Sequence, residues 1–251
     1  MSEDIRKYLK SEQVCVIIPT YNNAGTIDQV IRSVAAYCDD TFVVCDGPTD
    51  GTEELVRQCA TPVQVIAYQP NKGKGTALVT GFREALKRGF RYAITLDSDG
   101  QHYASDIPAF AEAFAQHPDA LIIGSRGLKH DNMPQKSTFA NKFSNFWFMV
   151  QTGKKLPDTQ TGFRLYPLRK MGKMRLITSR YEAELELLVR SAWHNIPIIP
   201  IPINVYYPPQ EERVSFFRPG KDFTRISILN TFFCFAAILY GYPSMFVRRV
   251  V

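Results

Sequence analysis

The sequence predicts an α/β fold built on a mostly parallel sheet, and three observations carry the prediction. Short apolar runs recur at 14–18, 41–45, 63–68, 92–96 and 120–123. Segments with apolar residues at helical spacing separate them, and a helix of about a dozen residues is the crossover that parallel pairing requires. Most runs also end in acidic or glycine-rich residues, which suit a ligand crevice at the carboxyl ends of parallel strands.

Taken in order, the run at 14–18 leads through Pro19-Thr20-Tyr21-Asn22-Asn23 into Ile27, Val30, Ile31 and Val34 at helical spacing. Thr26 with Gln29 three residues on has the form of a capping box at that helix start. The run at 41–45 ends in Asp46-Gly47-Pro48-Thr49-Asp50-Gly51-Thr52, before a helix over 53–59. The run at 63–68 passes through Asn71-Lys72-Gly73-Lys74-Gly75 into a helix over 76–87. The run at 92–96 ends on Asp97-Ser98-Asp99, and Pro108 is placed to open the helix that precedes the run at 120–123. Beyond Ser125 the alternation fades. A polar loop over 127–136 precedes an aromatic helix around 143–149, and Asp158-Thr159-Gln160-Thr161-Gly162-Phe163-Arg164 reads as a polar turn. Helical period returns over 181–193. A last strand over 198–205 carries Pro200 and Pro202, which predicts an edge position because proline cannot donate to a ladder.

Composition sets the outer limits. The chain has 251 residues, 45% of them apolar, and 30 Lys+Arg against 24 Asp+Glu give a net charge of +6. That describes a folded globular protein and excludes disordered and collagen-like chains. The five cysteines are odd in number and contain no CxxC pair, so buried thiols are expected rather than a disulfide scaffold or a thiolate zinc site. The N-terminal residues mix charges of both signs without an apolar stretch, so no secretory signal is expected and the cytoplasm is the default compartment. No basic-aromatic repeat suggests nucleic acid.

Four features carry chemistry. Asp97 and Asp99 lie two apart at a strand end, where the period of two directs both side chains to one side. Paired hard carboxylates suit Mg²⁺ or Mn²⁺, which take one or two carboxylates while phosphate oxygens fill other positions; an ordinary acidic turn is the alternative. Asp46 can accept hydrogen bonds from a nucleobase or ribose, or it can serve as a turn residue at the next helix. Asn71 and Lys74 belong to a glycine-rich loop before a helix N-terminus, an arrangement that favours phosphate, although the Walker spacing is absent. Glu182, Glu184 and Glu186 alternate along the helix over 181–193, with solvation the default for most of them. Of the four histidines only His102 falls near this group.

Together, Pro19-Thr20-Tyr21-Asn22, Asp46 with Asp50-Gly51-Thr52, the 71–75 loop, Asp97-Ser98-Asp99-Gly100-Gln101-His102 and 158–164 resemble the family-two inverting glycosyltransferases. The resemblance is to the dolichyl-phosphate mannosyltransferase and polyprenyl-phosphate glycosyltransferase branch. It implies a GT-A fold, a Rossmann-like sheet flanked by helices, with a nucleotide-sugar donor and Mg²⁺ or Mn²⁺. By resemblance, Pro19, Tyr21, Asn22 and Asp46 would meet the nucleoside, and Asp97, Asp99 and Gln101 the metal and diphosphate. Arg126 would face a donor or acceptor phosphate, and Lys136, Arg164, Arg213 and Ser215 would lie on the acceptor side. The chain departs from the family pattern at Asn23, where Glu is usual, and at Cys45-Asp46-Gly47-Pro48. A lipid-phosphate acceptor needs no general base, whereas a glycan or soluble hydroxyl needs one, with Asp158, Glu182 and Glu184 available for it. A sugar-phosphate nucleotidyltransferase and an inactive nucleotide-binding module are the alternatives in other classes.

The expected organisation is a catalytic domain over 1–210 and a tail over 211–251. In the tail, a basic segment precedes 226–247, where no side chain carries a charge. That run is long enough to cross a membrane, yet Asn230, Thr231, Gly241 and Pro243 interrupt it. Three readings stand: a span, a helix docked on the domain, and an interfacial helix whose flanking Arg218, Lys221, Arg225, Arg248 and Arg249 meet anionic headgroups on the cytoplasmic face.

Overall fold

A computed structural model of the chain describes residues 2–127, 135–171, 174–207 and 219–250, without the side-chain surroundings of 135–139, 219, 221–223 and 249–250. Its sheet has seven strands in the order β3-β2-β1-β4-β6-β5-β7: β1 Val14–Thr20, β2 Thr41–Asp46, β3 Gln64–Tyr68, β4 Tyr92–Thr95, β5 Leu121–Arg126, β6 Arg164–Pro167 and β7 Ile198–Ile203. The helices are α1 Ser2–Ser11, α2 Ile27–Ala35, α3 Thr52–Gln58, α4 Lys74–Lys87, α5 Ile107–Gln116, α6 Gln135–Thr152, α7 Leu168–Met171, α8 Glu182–Trp193, α9 Pro219–Ala236 and α10 Tyr242–Val250.

The central strands read as unbroken apolar runs because both faces are covered. Alternate residues of β1 divide between two cores: Cys15 and Ile17 pack with residues of α4, α8 and α9, while Val14, Val16 and Ile18 pack with residues of α1, α2 and α5. The expected strands are all present, and β7 is indeed at an edge. There Pro200 and Pro202 point outward while Ile201 and Ile203 are buried.

Three elements differ from the sequence expectation. β6 was expected only as the end of a polar turn. It is a four-residue strand, antiparallel to β4 and β5, and pairs Ile94 with Leu165, Thr95 with Arg164 and Ile123 with Arg164. Four residues are too few to show a period, so the pairing is decided by the neighbouring strands. Helix α1 was not expected, because its charges mask Ile5, Tyr8 and Leu9, which pack on the domain with Leu9 fully buried. The capping box at Thr26 does not form. Its side chain makes no cap bond, and Thr26 Oγ1 donates to Ser98 O at 2.6 Å, so tertiary contact takes the hydroxyl.

The expected boundary at 210 and 211 lies outside the described residues. Helix α9, a π turn at Ala237–Gly241 and α10 run on as one rod. Leu229, Phe233, Ala237, Gly241 and Met245 are its buried stripe. Spaced four apart, they would drift about 40° per step around an ideal α-helix. The wider π turn winds back part of that drift and keeps the stripe on the domain. Trp193 of α8 anchors it. Its ring meets Phe233 and Tyr240, its Nε1 donates to Gln151 O at 2.8 Å, and it closes on Gly241, where no Cβ would fit. Gln151 Nε2 also donates to Asn230 Oδ1 at 3.0 Å.

The cysteines are free, with Cys15, Cys38 and Cys45 buried as expected. Burial pushes the Cys38 and Cys45 thiols up to about 12.

Candidate active site

β1, β2 and β4 are parallel, and β4 and β5 are both antiparallel to β6, so all four run in one direction and their carboxyl ends bring the Pro19, Asp46, Asp97 and Arg126 regions to one edge. β6 enters from that edge, and its antiparallel start places 158–163 across the ends of β4 and β5. Thr95 Oγ1 donates to Gly162 O at 2.7 Å, and Gly124 N donates to Phe163 O at 2.9 Å. The result is a crevice walled by loops that are cross-braced to one another.

Asp97 lies at the centre. Lys74 Nζ, at the start of α4, is 2.7 Å from Asp97 Oδ1 and 2.9 Å from Glu184 Oε2 on α8. The triad is largely buried, with Lys74 18%, Asp97 23% and Glu184 9% exposed. Burial pushes the Asp97 carboxyl up, and the charge of Lys74 overrides it, holding the carboxyl below its ordinary range. Asp99 is raised, by burial first and then by the charge of Asp97. His102 Nδ1 lies 3.9 Å from Asp97 Oδ2, and burial lowers its pKa despite both aspartates. Ser98, between the two, turns away: its Oγ donates to Pro19 O at 3.1 Å and accepts Asn23 Nδ2 at 2.9 Å. The three residues follow the end of β4 at Thr95, and Ser98 and Asp99 lie in a turn, where Asp99 Oδ1 accepts Gln101 N at 3.0 Å. Gly162 completes the wall, because a Cβ there would lie 2.6 Å from Asp97 Oδ2.

Arg126, at the end of β5, is held by Asp158 through Nε at 2.7 Å and Nη2 at 3.0 Å. Asp158 is fully buried and also accepts Asn141 Nδ2 at 2.8 Å and Gln160 N at 2.9 Å. Burial disfavours both charges, and the pairing outweighs it, raising Arg126 and lowering Asp158. The charges of Asp97 and Arg126 act on each other across the crevice.

Several residues expected to meet a ligand are engaged by the protein itself. Asn22, with φ at 52°, accepts Thr49 N at 2.8 Å on its Oδ1 and so ties two loops together. The Asp46 carboxylate accepts Lys72 N at 2.7 Å, Gly73 N at 2.8 Å and Asn71 Nδ2 at 3.0 Å, so Asn71 and the glycine-rich loop close on Asp46. The expectation of Lys74 as a phosphate ligand gives way to its ion pairs with two carboxylates. Asp158, expected as a base, is instead the acceptor that fixes Arg126. Arg164 does not face an acceptor. It is 0% exposed, and its guanidinium donates to Thr161 O at 2.7 Å, Thr159 O at 3.0 Å and Glu184 O at 2.8 Å, stapling the 158–163 loop to α8.

The three glutamates of α8 are buried rather than solvated. Glu186 accepts Ile177 N at 3.0 Å and Thr178 N at 2.9 Å and pairs with Arg190. Glu182 is 6% exposed, and its Oε2 has no hydrogen-bond partner among the described residues. Pro19 is buried, while Tyr21, Asp99 and Gln101 are half-buried at the crevice. Lys136 is on α6 with its side chain not described, and Arg213 and Ser215 lie outside the described residues.

His102, Gly162 and Asn141 complete the site without having been assigned to it from sequence. His102 and Gly162 carried the signal of the 97–102 and 158–164 motifs without a role, and Asn141 carried none. Among the described residues no three of His, Cys, Asp or Glu converge as a metal cage. The carboxylates of Asp97 and Asp99 fit an ion held mostly by phosphate and water, as Mg²⁺ and Mn²⁺ are.

The glycosyl transferase family 2 model matches residues 15–172. The UDP-N-acetylglucosamine–dolichyl-phosphate N-acetylglucosaminyltransferase of Methanococcus voltae is 26% identical, over 77% of this chain and 86% of that protein. The polyprenol monophosphomannose synthase of Mycolicibacterium smegmatis is 27% identical over 80% of each chain. The undecaprenyl-phosphate mannosyltransferase of Micrococcus luteus is 29% identical, over 76% and 82%. Among solved structures, glucosyl-3-phosphoglycerate synthase from Mycobacterium tuberculosis, in complex with Mn²⁺, UDP and phosphoglyceric acid, superposes with a TM-score of 0.68. It is 15% identical, covering 94% of this chain and 82% of that one, and the likeness establishes the expected GT-A architecture.

Proposed function

The chain belongs to glycosyl transferase family 2, and from that premise we propose that it moves a hexose from a nucleoside-diphosphate sugar to a polyprenyl phosphate. In this reading the donor is of the GDP-mannose or UDP-glucose type, the anomeric centre inverts, and the reaction takes place at the cytoplasmic face of a membrane. The names of the relatives support a lipid-phosphate acceptor.

One structural observation carries the choice of acceptor. Two of the three carboxylates that could serve a hydroxyl acceptor as base are already committed, Asp158 to Arg126 and Glu184 to Lys74. A phosphate acceptor is already anionic and needs no proton removed. Arg126, held at the end of β5, offers a fixed guanidinium to such a phosphate, and its planar fork suits the geometry. Lys74 keeps Asp97 ionised. Asp97, Asp99 and Gln101 would hold Mg²⁺ or Mn²⁺, which neutralises charge on the leaving nucleoside diphosphate when bound. Pro19, Tyr21 and Asp46 would lie against the nucleoside.

A second reading, transfer to a glycan or soluble hydroxyl, draws on Glu182, whose buried Oε2 has no partner among the described residues. The test is transfer of labelled sugar from a panel of UDP- and GDP-sugars, with Mg²⁺ or Mn²⁺, to polyprenyl phosphate. Label in the organic phase, lost with chelator and in Asp97→Ala, is the expected result. Release of nucleoside diphosphate without lipid label would overturn the acceptor in favour of a hydroxyl.

A further inference from the structure

The rod formed by α9, the π turn and α10 has a second face, opposite its buried stripe. Thr224–Arg248 is long and apolar enough to cross a membrane, yet only 28% of its most apolar stretch is buried. Ile228, Phe235, Ile238, Leu239, Phe246 and Val247 are between 58% and 82% exposed. Phe146 and Val150 of α6 extend this patch, with 51% and 36% exposure, and Tyr242 Oη donates to Val150 O at 2.6 Å across the join. Contiguous exposed apolar side chains on this scale mark an interaction surface.

We infer that this face is the protein's membrane-binding surface. The rod lies in the plane of an anionic bilayer, with its exposed side chains among the acyl chains and Arg225 and Arg248 at the headgroups. Three observations select this occupant. The rod is tied down at intervals by Gln151–Asn230, Ser244 Oγ to Trp193 O at 3.2 Å and Asn195 Nδ2 to Met245 O at 3.0 Å, so a span would tear these polar contacts and Trp193 open. From 224 to 251 there is no acidic residue, while Arg225 and Arg248 flank the apolar run. A self-complementary dimer through this face would bury arginines without carboxylates of their own face to meet them, whereas anionic lipid supplies the missing charge. Tyr240 and Tyr242, both exposed, are of the amphipathic kind that suits the headgroup level.

This inference deepens the membrane-face part of the proposed function and does not rest on its chemistry: flotation can fail while sugar transfer to polyprenyl phosphate stands, and the reverse. The test is flotation of the full chain with phosphatidylcholine vesicles, with and without phosphatidylglycerol, followed by alkaline carbonate extraction. The expected result is flotation with the anionic vesicles, release by carbonate, and loss of binding on the order of a hundredfold in the Leu239→Glu/Phe246→Glu variant. That variant should keep the wild-type thermal melt, because both side chains are exposed. Resistance to carbonate would overturn the in-plane reading in favour of a span. A dimer in solution that the double variant converts to monomer, with no flotation, would assign the face to a second copy of the chain.

Discussion

Replacing Asp158 by Ala removes the acceptor of five hydrogen bonds: Arg126 N at 3.2 Å, Nε at 2.7 Å and Nη2 at 3.0 Å, Asn141 Nδ2 at 2.8 Å and Gln160 N at 2.9 Å. It also strands the Arg126 guanidinium, 14% exposed, beside a side chain that was 0% exposed. Breaking a buried ion pair from one side costs about 3–5 kcal/mol, and urea unfolding followed by circular dichroism would read that loss. Arg126→Ala strands the carboxylate in the same way. The double variant removes both charges and should cost less than the two singles summed, with a coupling of about 2–3 kcal/mol. Activity should follow the same logic. If Asp158 acts by aiming Arg126, each single variant lowers kcat/KM by about 10–100-fold, as a misplaced phosphate ligand would, and the double adds little. Stability losses that add within about 0.5 kcal/mol would refute the coupling. An Asp158→Ala variant that loses all turnover while Arg126→Ala retains it would restore Asp158 as the base.

Three further outcomes follow from the site. Lys74→Met leaves Asp97 and Glu184 facing each other without a cation, and should destabilise the fold by about 3 kcal/mol or more. Mn²⁺ should then raise the melting temperature of the variant more than that of the wild type, and equal shifts would argue against a shared cation position. Gly162→Ala drives a Cβ to 2.6 Å from Asp97 Oδ2; it should cost about 1–3 kcal/mol by overpacking, and titration calorimetry should show weakened donor binding. Asp158 has its pKa lowered on folding, so the pair's stabilisation is fully present above the ordinary carboxylate value of 3.8 and fades as pH falls through the lower folded value. Acid unfolding of Asp158→Ala should therefore show a shallower pH dependence below 3.8 than the wild type does.

The sheet was legible in sequence because β1, β2, β4 and β5 are buried on both faces, which forces continuous apolar runs with polar residues at their carboxyl ends. Asp97, Asp99, Asp46 and the 71–75 loop could be assigned to one crevice for the same reason, since strand direction alone brings strand ends together. Pairing across the crevice left no local trace. That Arg164 is a buried staple rather than an acceptor ligand depends on β6, a strand of four residues whose partners are 71 and 41 positions away at Ile94↔Leu165 and Ile123↔Arg164. Lys74 reads as a phosphate ligand until α8 brings Glu184 beside it.

The C-terminal rod divides in the same way. Its length and its lack of charge are properties of the chain, and they permit a span, a docked helix or an interfacial one. Which residues face the domain is set by Trp193, Gln151 and the π turn, contacts between segments far apart in sequence. Local sequence determines what an element can bury and which charges it carries; the fold determines which partner each charge meets, because electrostatic and packing energies depend on distance in space.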